Sequence, residues 1–190
     1  MHTHSLGEYM DCANAGNWQG VADLMLSSSR KLASIGADFL ISPDNTIHRA
    51  FDLVVSRSPL PWLHIVEEVA REARARGFHR LAITGTRLTM AGPVYPQKLT
   101  EVGIGYLLPN PEECHRIDAI IFDELVKGVF TAESRRYVQG AINRMKEAGC
   151  DAVVLGCTEI PLLIDDTHSP LPTLDSTRIL AKAALRRALS

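Results

Sequence analysis

Short apolar runs alternate with stretches of helical period along this chain. "ADFLIS" (37–42), "RLAITG" (80–85) and "DAVVLG" (151–156) are almost continuously apolar and bounded by turn residues. That is the pattern of parallel strands covered on both faces. "IGYLLP" (104–109) is a fourth strand candidate and "LPTLD" (171–175) a fifth. Residues 17–35 place Trp18, Val21, Leu24, Met25 and Leu32 at helical spacing and stop at Gly36. Residues 61–76 open with Pro61, carry Leu63, Val66, Val69 and Ala70 on one face, and stop before Gly77. Further helices are expected over 112–127, 131–148 and 175–189, the last entered by an Asp-Ser-Thr cap signal.

Strands and helices in this alternation predict an α/β fold of βαβ units. An internal echo refines it: "GADFLISPDNTIH" and "GCDAVVLGCTEIP" share Gly, a small residue, Asp, an apolar run and a polar residue followed by Thr. The expectation is two pseudo-symmetric Rossmann-like lobes with parallel sheets, facing across a cleft. Residues 1–78 with 175–190 would form the N-terminal lobe, and residues 79–174 the C-terminal lobe. The chain begins at what would be the second strand of the first lobe, so that lobe is expected to be truncated.

Composition narrows the function classes. The 190 residues are 46% hydrophobic and 22% charged, with a formal net charge of -2. There is no basic block, which argues against nucleic acid and against an anionic membrane surface. No apolar stretch approaches the roughly 20 residues of a spanning helix. "MHTHSLGEYM" shows no secretory pattern. Cys12, Cys114, Cys150 and Cys157 show no C-x-x-C spacing, so reduced thiols and a cytoplasmic location are expected. His2 and His4 form an H-x-H pair without matching acids and read as a polar strand rather than a metal site. "TGTRLT" (84–89) lacks the spacing of a nucleotide-binding loop.

Two places carry candidate chemistry. In "VVLGCTEIPLL" a strand ends at Gly156, and Cys157, Thr158 and Glu159 follow, where ligands bind in open α/β sheets. Free backbone N–H groups and a helix start there predict a lowered thiol pKa for Cys157. A small buried cysteine is the equal alternative. In "ADFLISPDNTIHRAF" an aspartate, Asp44, follows the strand at once. It reads either as a helix cap or as half of an active site. His48 sits one turn later, within reach of Asp44.

"GCTEIPLL" resembles the second catalytic motif of the aspartate/glutamate racemase family, and "GADFLISPDNTIH" resembles its first. "TGTRLTMAGPVYPQKL" (84–99) is similar to the family's Thr-rich loop before a Tyr. "DELVKG" (123–128) and "LPTLDST" (171–177) also fit its layout. The resemblance runs from about Trp18 onward. It implies cofactor-independent racemisation of a small amino acid or related carboxylate, with one acid/base group from each lobe, and often a homodimer. Carried over residue by residue, Cys157 is an acid/base group and Asp44 its partner. Asn45, Thr46, Thr86, Thr89, Thr158 and Lys127 then bind substrate, and Glu159 and His48 stand behind them. Two departures matter. Asp44 occupies the place of the first catalytic cysteine. The opening segment lacks both the glycine-rich loop and the arginine found in aspartate-selecting members. A one-base relative such as a decarboxylase, or a silent small-acid-binding protein, stays open at this point.

Overall fold

The computed structural model describes residues 1–190. Four strands, β1 (Arg80–Gly85), β2 (Gly105–Leu107), β3 (Ala152–Gly156) and β4 (Thr173–Asp175), form one sheet. The order is β2-β1-β3-β4, and all three pairings are parallel. Alternate residues along the central strands feed opposite faces, as a pleated strand requires. Leu81, Ile83, Ala152 and Val154 join one core with helices α4 (Ile65–Ala75), α6 (Val94–Glu101) and α10 (Ser176–Ala188). Ala82, Val153 and Leu155 join another core on the opposite face, packed by α7 (Pro111–Ala119), α8 (Ala132–Glu147) and α9 (Ile160–Leu163). Each fully buried Leu or Ile here contributes about 1.5–3 kcal/mol.

The N-terminal part is built differently. Helices α1 (Leu6–Asn14) and α2 (Trp18–Ser34), a 3-10 turn Thr46–Ala50 and α3 (Phe51–Val55) share a smaller core around Val21, Met25, Leu26 and Val54. Its only β pairing is an isolated parallel bridge, Leu40 to Trp62. The α/β class and a cleft between two unequal halves match the sequence reading, but "ADFLIS" does not extend into a strand. Leu40 alone finds a partner, and an apolar run without a neighbouring strand cannot satisfy its backbone as β structure. Helices α4 and α10, assigned by the sequence reading to the N-terminal lobe, pack together on the sheet.

Helix α1 begins just after the His2/His4 segment, which the sequence reading has as a polar strand and which forms no strand, and α1 itself has no counterpart in that reading. Ser5 accepts from the Glu8 backbone N–H, and the Glu8 carboxylate accepts from the Ser5 backbone N–H in return. This capping box nucleates the helix. The helix expected over 112–127 is also interrupted. After α7 the chain makes a π-helical turn over Ile120–Glu124 and a 3-10 turn over Leu125–Lys127. No helix is long and apolar enough to cross a membrane.

Candidate active site

Where the two halves meet, a cavity of about 130 Å³ opens beyond the carboxyl ends of β1 and β3. Asp44, Asn45 and Thr46 reach it from the N-terminal part, and Cys157, Thr158 and Glu159 reach it from the sheet. Gly156 pairs with Gly85 in the sheet register. A Cβ at Gly156 would stand 2.6 Å from the Thr84 carbonyl oxygen, so glycine is what lets the strands converge just before Cys157.

Cys157 is buried and its thiol donates to Glu159 Oε2 at 2.9 Å. The same oxygen accepts the Thr158 hydroxyl at 2.6 Å. The lowered thiol pKa expected from the sequence is not what this environment gives. Burial pushes the Cys157 thiol well above its ordinary range, and the Glu159 and Asp44 carboxylates push the same way. The helix that follows, α9, has four residues and little dipole to offset this.

Asp44 is half-buried, and burial raises its carboxyl pKa. Hydrogen bonds from backbone N–H groups oppose the shift, chiefly from Ile47, whose N–H donates to Asp44 Oδ1 at 3.1 Å. The carboxylate of Glu159 adds to the rise. One Asp44 oxygen thus steadies the start of the 3-10 turn, as the capping reading expects, and the side chain also lines the cavity.

Three threonines form a closed triangle. Thr46 Oγ1 is 3.3 Å from both Thr86 Oγ1 and Thr89 Oγ1, and Thr86 and Thr89 are 3.2 Å apart. Thr86 also caps α5 (Arg87–Met90) by accepting the Thr89 N–H. Thr46 and Thr86 line the cavity, whereas Thr89 is buried behind them. Asn45 is committed on both sides of its amide. Its Oδ1 accepts the Tyr95 hydroxyl at 2.7 Å, and its Nδ2 donates to Ser176 Oγ at 3.0 Å. Ser176 in turn donates to the Leu155 carbonyl at 2.9 Å, which ties the Asp44 loop to the strand that carries Cys157.

A family model described as Asp/Glu/Hydantoin racemase matches residues 4–184. The chain belongs to this family. Among curated relatives of this racemase-family chain is the broad specificity amino-acid racemase RacX of Bacillus subtilis, 24% identical over 169 residues. That match covers 87% of this chain and 71% of the relative. A glutamate racemase of Koribacter versatilis is 28% identical over 174 residues, and the match spans 88% of this chain and 58% of that one. Among solved structures, a candidate Asp/Glu racemase from Yersinia pestis superposes with a TM-score of 0.90 at 30% identity. An aspartate racemase homologue from Pyrococcus horikoshii superposes at 0.86 and 29%. Each covers 98% of this chain and 82% of its own.

Seven of the residues singled out in this racemase-family sequence thus line one cavity: Asp44, Asn45, Thr46, Thr86, Cys157, Thr158 and Glu159. Lys127 does not. It is exposed, with its Nζ 3.8 Å from Asp123, because the irregular turns after α7 direct Val126 to the cavity instead. His48 does not reach Asp44. It is buried, donates Nε2–H to the Ser42 carbonyl at 3.2 Å, and packs against Phe51 and His64. It supports the loop two residues ahead of Asp44 rather than the carboxylate itself. Sequence reasoning missed Arg87, Asp118 and the apolar lining from α1 and the π turn. Arg87 stood inside the Thr-rich motif and was the available signal; Asp118 sits in an ordinary helix and had none.

Proposed function

We propose that this chain is a pyridoxal-phosphate-independent amino-acid racemase, with Asp44 and Cys157 as its two acid/base groups. The observation that carries the reading is that a carboxyl from one half and a thiol from the other line a single cavity. Inversion at an α-carbon needs two such groups on opposite faces. Their pKa directions suit the task. A carboxylate made more basic by burial is a better acceptor for the α-proton. A thiol held in its protonated form has a proton to deliver.

In one direction Asp44 takes the α-proton, leaving a carbanion delocalised onto the substrate carboxylate, and the Cys157 thiol protonates the carbon from the other side. Asp44 ends protonated and Cys157 ends as thiolate, and the return reaction uses them in reverse. Hydroxyls of Thr46 and Thr86 are the donors available to the substrate carboxylate, where charge develops, and Thr158 becomes a third on turning its hydroxyl away from Glu159 Oε2. Thr89 and Asn45 hold these groups in place from behind. The family match and the shared cavity favour this reading over a decarboxylase or a silent binding protein. The same reading expects a cytoplasmic enzyme, which the four free cysteines support, and a homodimer, which light scattering would test.

The deciding experiment incubates the full chain with single enantiomers in deuterated water. Deuterium should enter the α-position as optical purity is lost. Retention of both the α-proton and optical purity across acidic, neutral and basic amino acids would overturn the proposal.

A further inference from the structure

The cavity has two unlike sides. One holds the proposed reacting pair and the threonine hydroxyls. The other is an apolar wall made by Leu6 and Met10 of α1, Leu88 of α5, and Ile121, Phe122 and Val126 of the irregular turns. Leu6 is 56% exposed and Val126 is 48% exposed, and neither belongs to any of the three cores. They come from separate elements and meet only around this cavity. Apolar surface left in water there is stabilised by whatever apolar group covers it.

Charge points the same way. Asp44, Asp118 and Glu159 line the cavity, against the single cation Arg87. Asp118 is held in the lining by the Arg87 backbone N–H, which donates to its Oδ1 at 2.6 Å. Lys127, the other candidate cation, faces Asp123 outside the lining. The α-carboxylate of any amino acid carries its own ammonium partner. A second carboxylate on the side chain would enter a lining that already has an excess of acids.

Building on the racemase reading, we infer that the site takes an α-amino acid with an uncharged apolar side chain, of the leucine or methionine kind, in preference to aspartate or glutamate. The amino-acid head lies toward Asp44, Cys157 and the threonines. The side chain lies against Leu6, Met10, Phe122 and Val126.

The test measures α-proton exchange in deuterated water for L-leucine, L-methionine, L-aspartate, L-glutamate and L-lysine, with the full chain and with its Cys157→Ala variant. Leucine and methionine should exceed aspartate and glutamate in kcat/KM by at least about tenfold, the scale on which apolar pockets discriminate. Equal or faster turnover of aspartate, glutamate or lysine overturns the inference while leaving the racemase intact. Absence of exchange with every amino acid removes the racemase reading and the inference with it. A second variant, Val126→Arg, alters an exposed wall residue that the fold does not need. It should shift the glutamate-to-leucine ratio upward by about tenfold; an unchanged ratio means the wall does not touch the side chain.

Discussion

The two halves deliver Asp44 and Cys157 to the cavity by different physical means. Cys157 follows β3, which is paired on both sides by parallel strands and covered on both faces. Its position is set by backbone hydrogen bonds that no single side-chain change removes. Asp44 follows a segment with one bridge. Its loop is held by side chains instead: His48 on the Ser42 carbonyl, Asn45 between Tyr95 and Ser176, and Asp44 itself on the Ile47 N–H. The lesson is that buried polar contacts can substitute for a sheet, at the price of depending on every member.

The largest effects should come from the reacting pair. Cys157→Ala and Asp44→Asn are each expected to lower racemisation by about 10²–10⁴-fold, the range of general acid–base catalysis. If the halves act as opposite faces, each variant loses α-proton exchange for one enantiomer more than for the other, and the bias reverses between them. An identical bias in both variants would break the comparison.

Next in size is Asn45→Ala. It strands the buried Tyr95 hydroxyl and should lower stability by about 1–3 kcal/mol, read as a fall in melting temperature. Activity should fall further than the melting temperature alone explains, because the Asp44 loop loses its tie to β3.

A further effect is pH-dependent and shows only as the solution is acidified. Burial, then the neighbouring His64, hold the His48 imidazole down to about 3. Burial, then Lys98, hold His64 down to about 4. The unfolded chain binds these protons below about pH 6.5 and the folded chain does not. Their contribution is therefore fully present above about pH 6.5 and declines as pH falls toward the folded values. Thermal melts should show that slope, and His48→Leu should flatten it; an unchanged slope would assign the effect to other groups. The smallest expected change sharpens the Cys157 side. Glu159→Gln removes a carboxylate that raises the thiol pKa, so iodoacetamide should alkylate Cys157 faster at neutral pH.

The sheet half was the more legible part of the sequence. Its strands are short apolar runs buried on both faces, and β1 spans the whole of "RLAITG". The loop half was less legible because its order is not periodic. Local pattern does not say that Asn45 bonds a tyrosine fifty residues on, or that "ADFLIS" lacks a neighbouring strand. Helix α1 was readable in principle from Ser5 and Glu8. Helix α6 was obscured by Pro93 and Pro96, which the first turn of a helix tolerates. Most of the cavity-lining residues singled out beforehand were legible because they cluster in two short motifs, at 44–46 and 157–159. The wall residues were not, since they are scattered and apolar like any core residue.

The π-helical turn at Ile120–Glu124 holds one more residue than an α-helix would use for the same advance along its axis. Each residue of an α-helix rotates by about 100°. Loss of a single codon here would regularise the turn and swing Phe122 and Val126 to a new bearing, while the thiol and carboxyl across the cavity ride on other elements. The shape of the wall is thus open to remodelling by length change, a route that point substitutions do not offer.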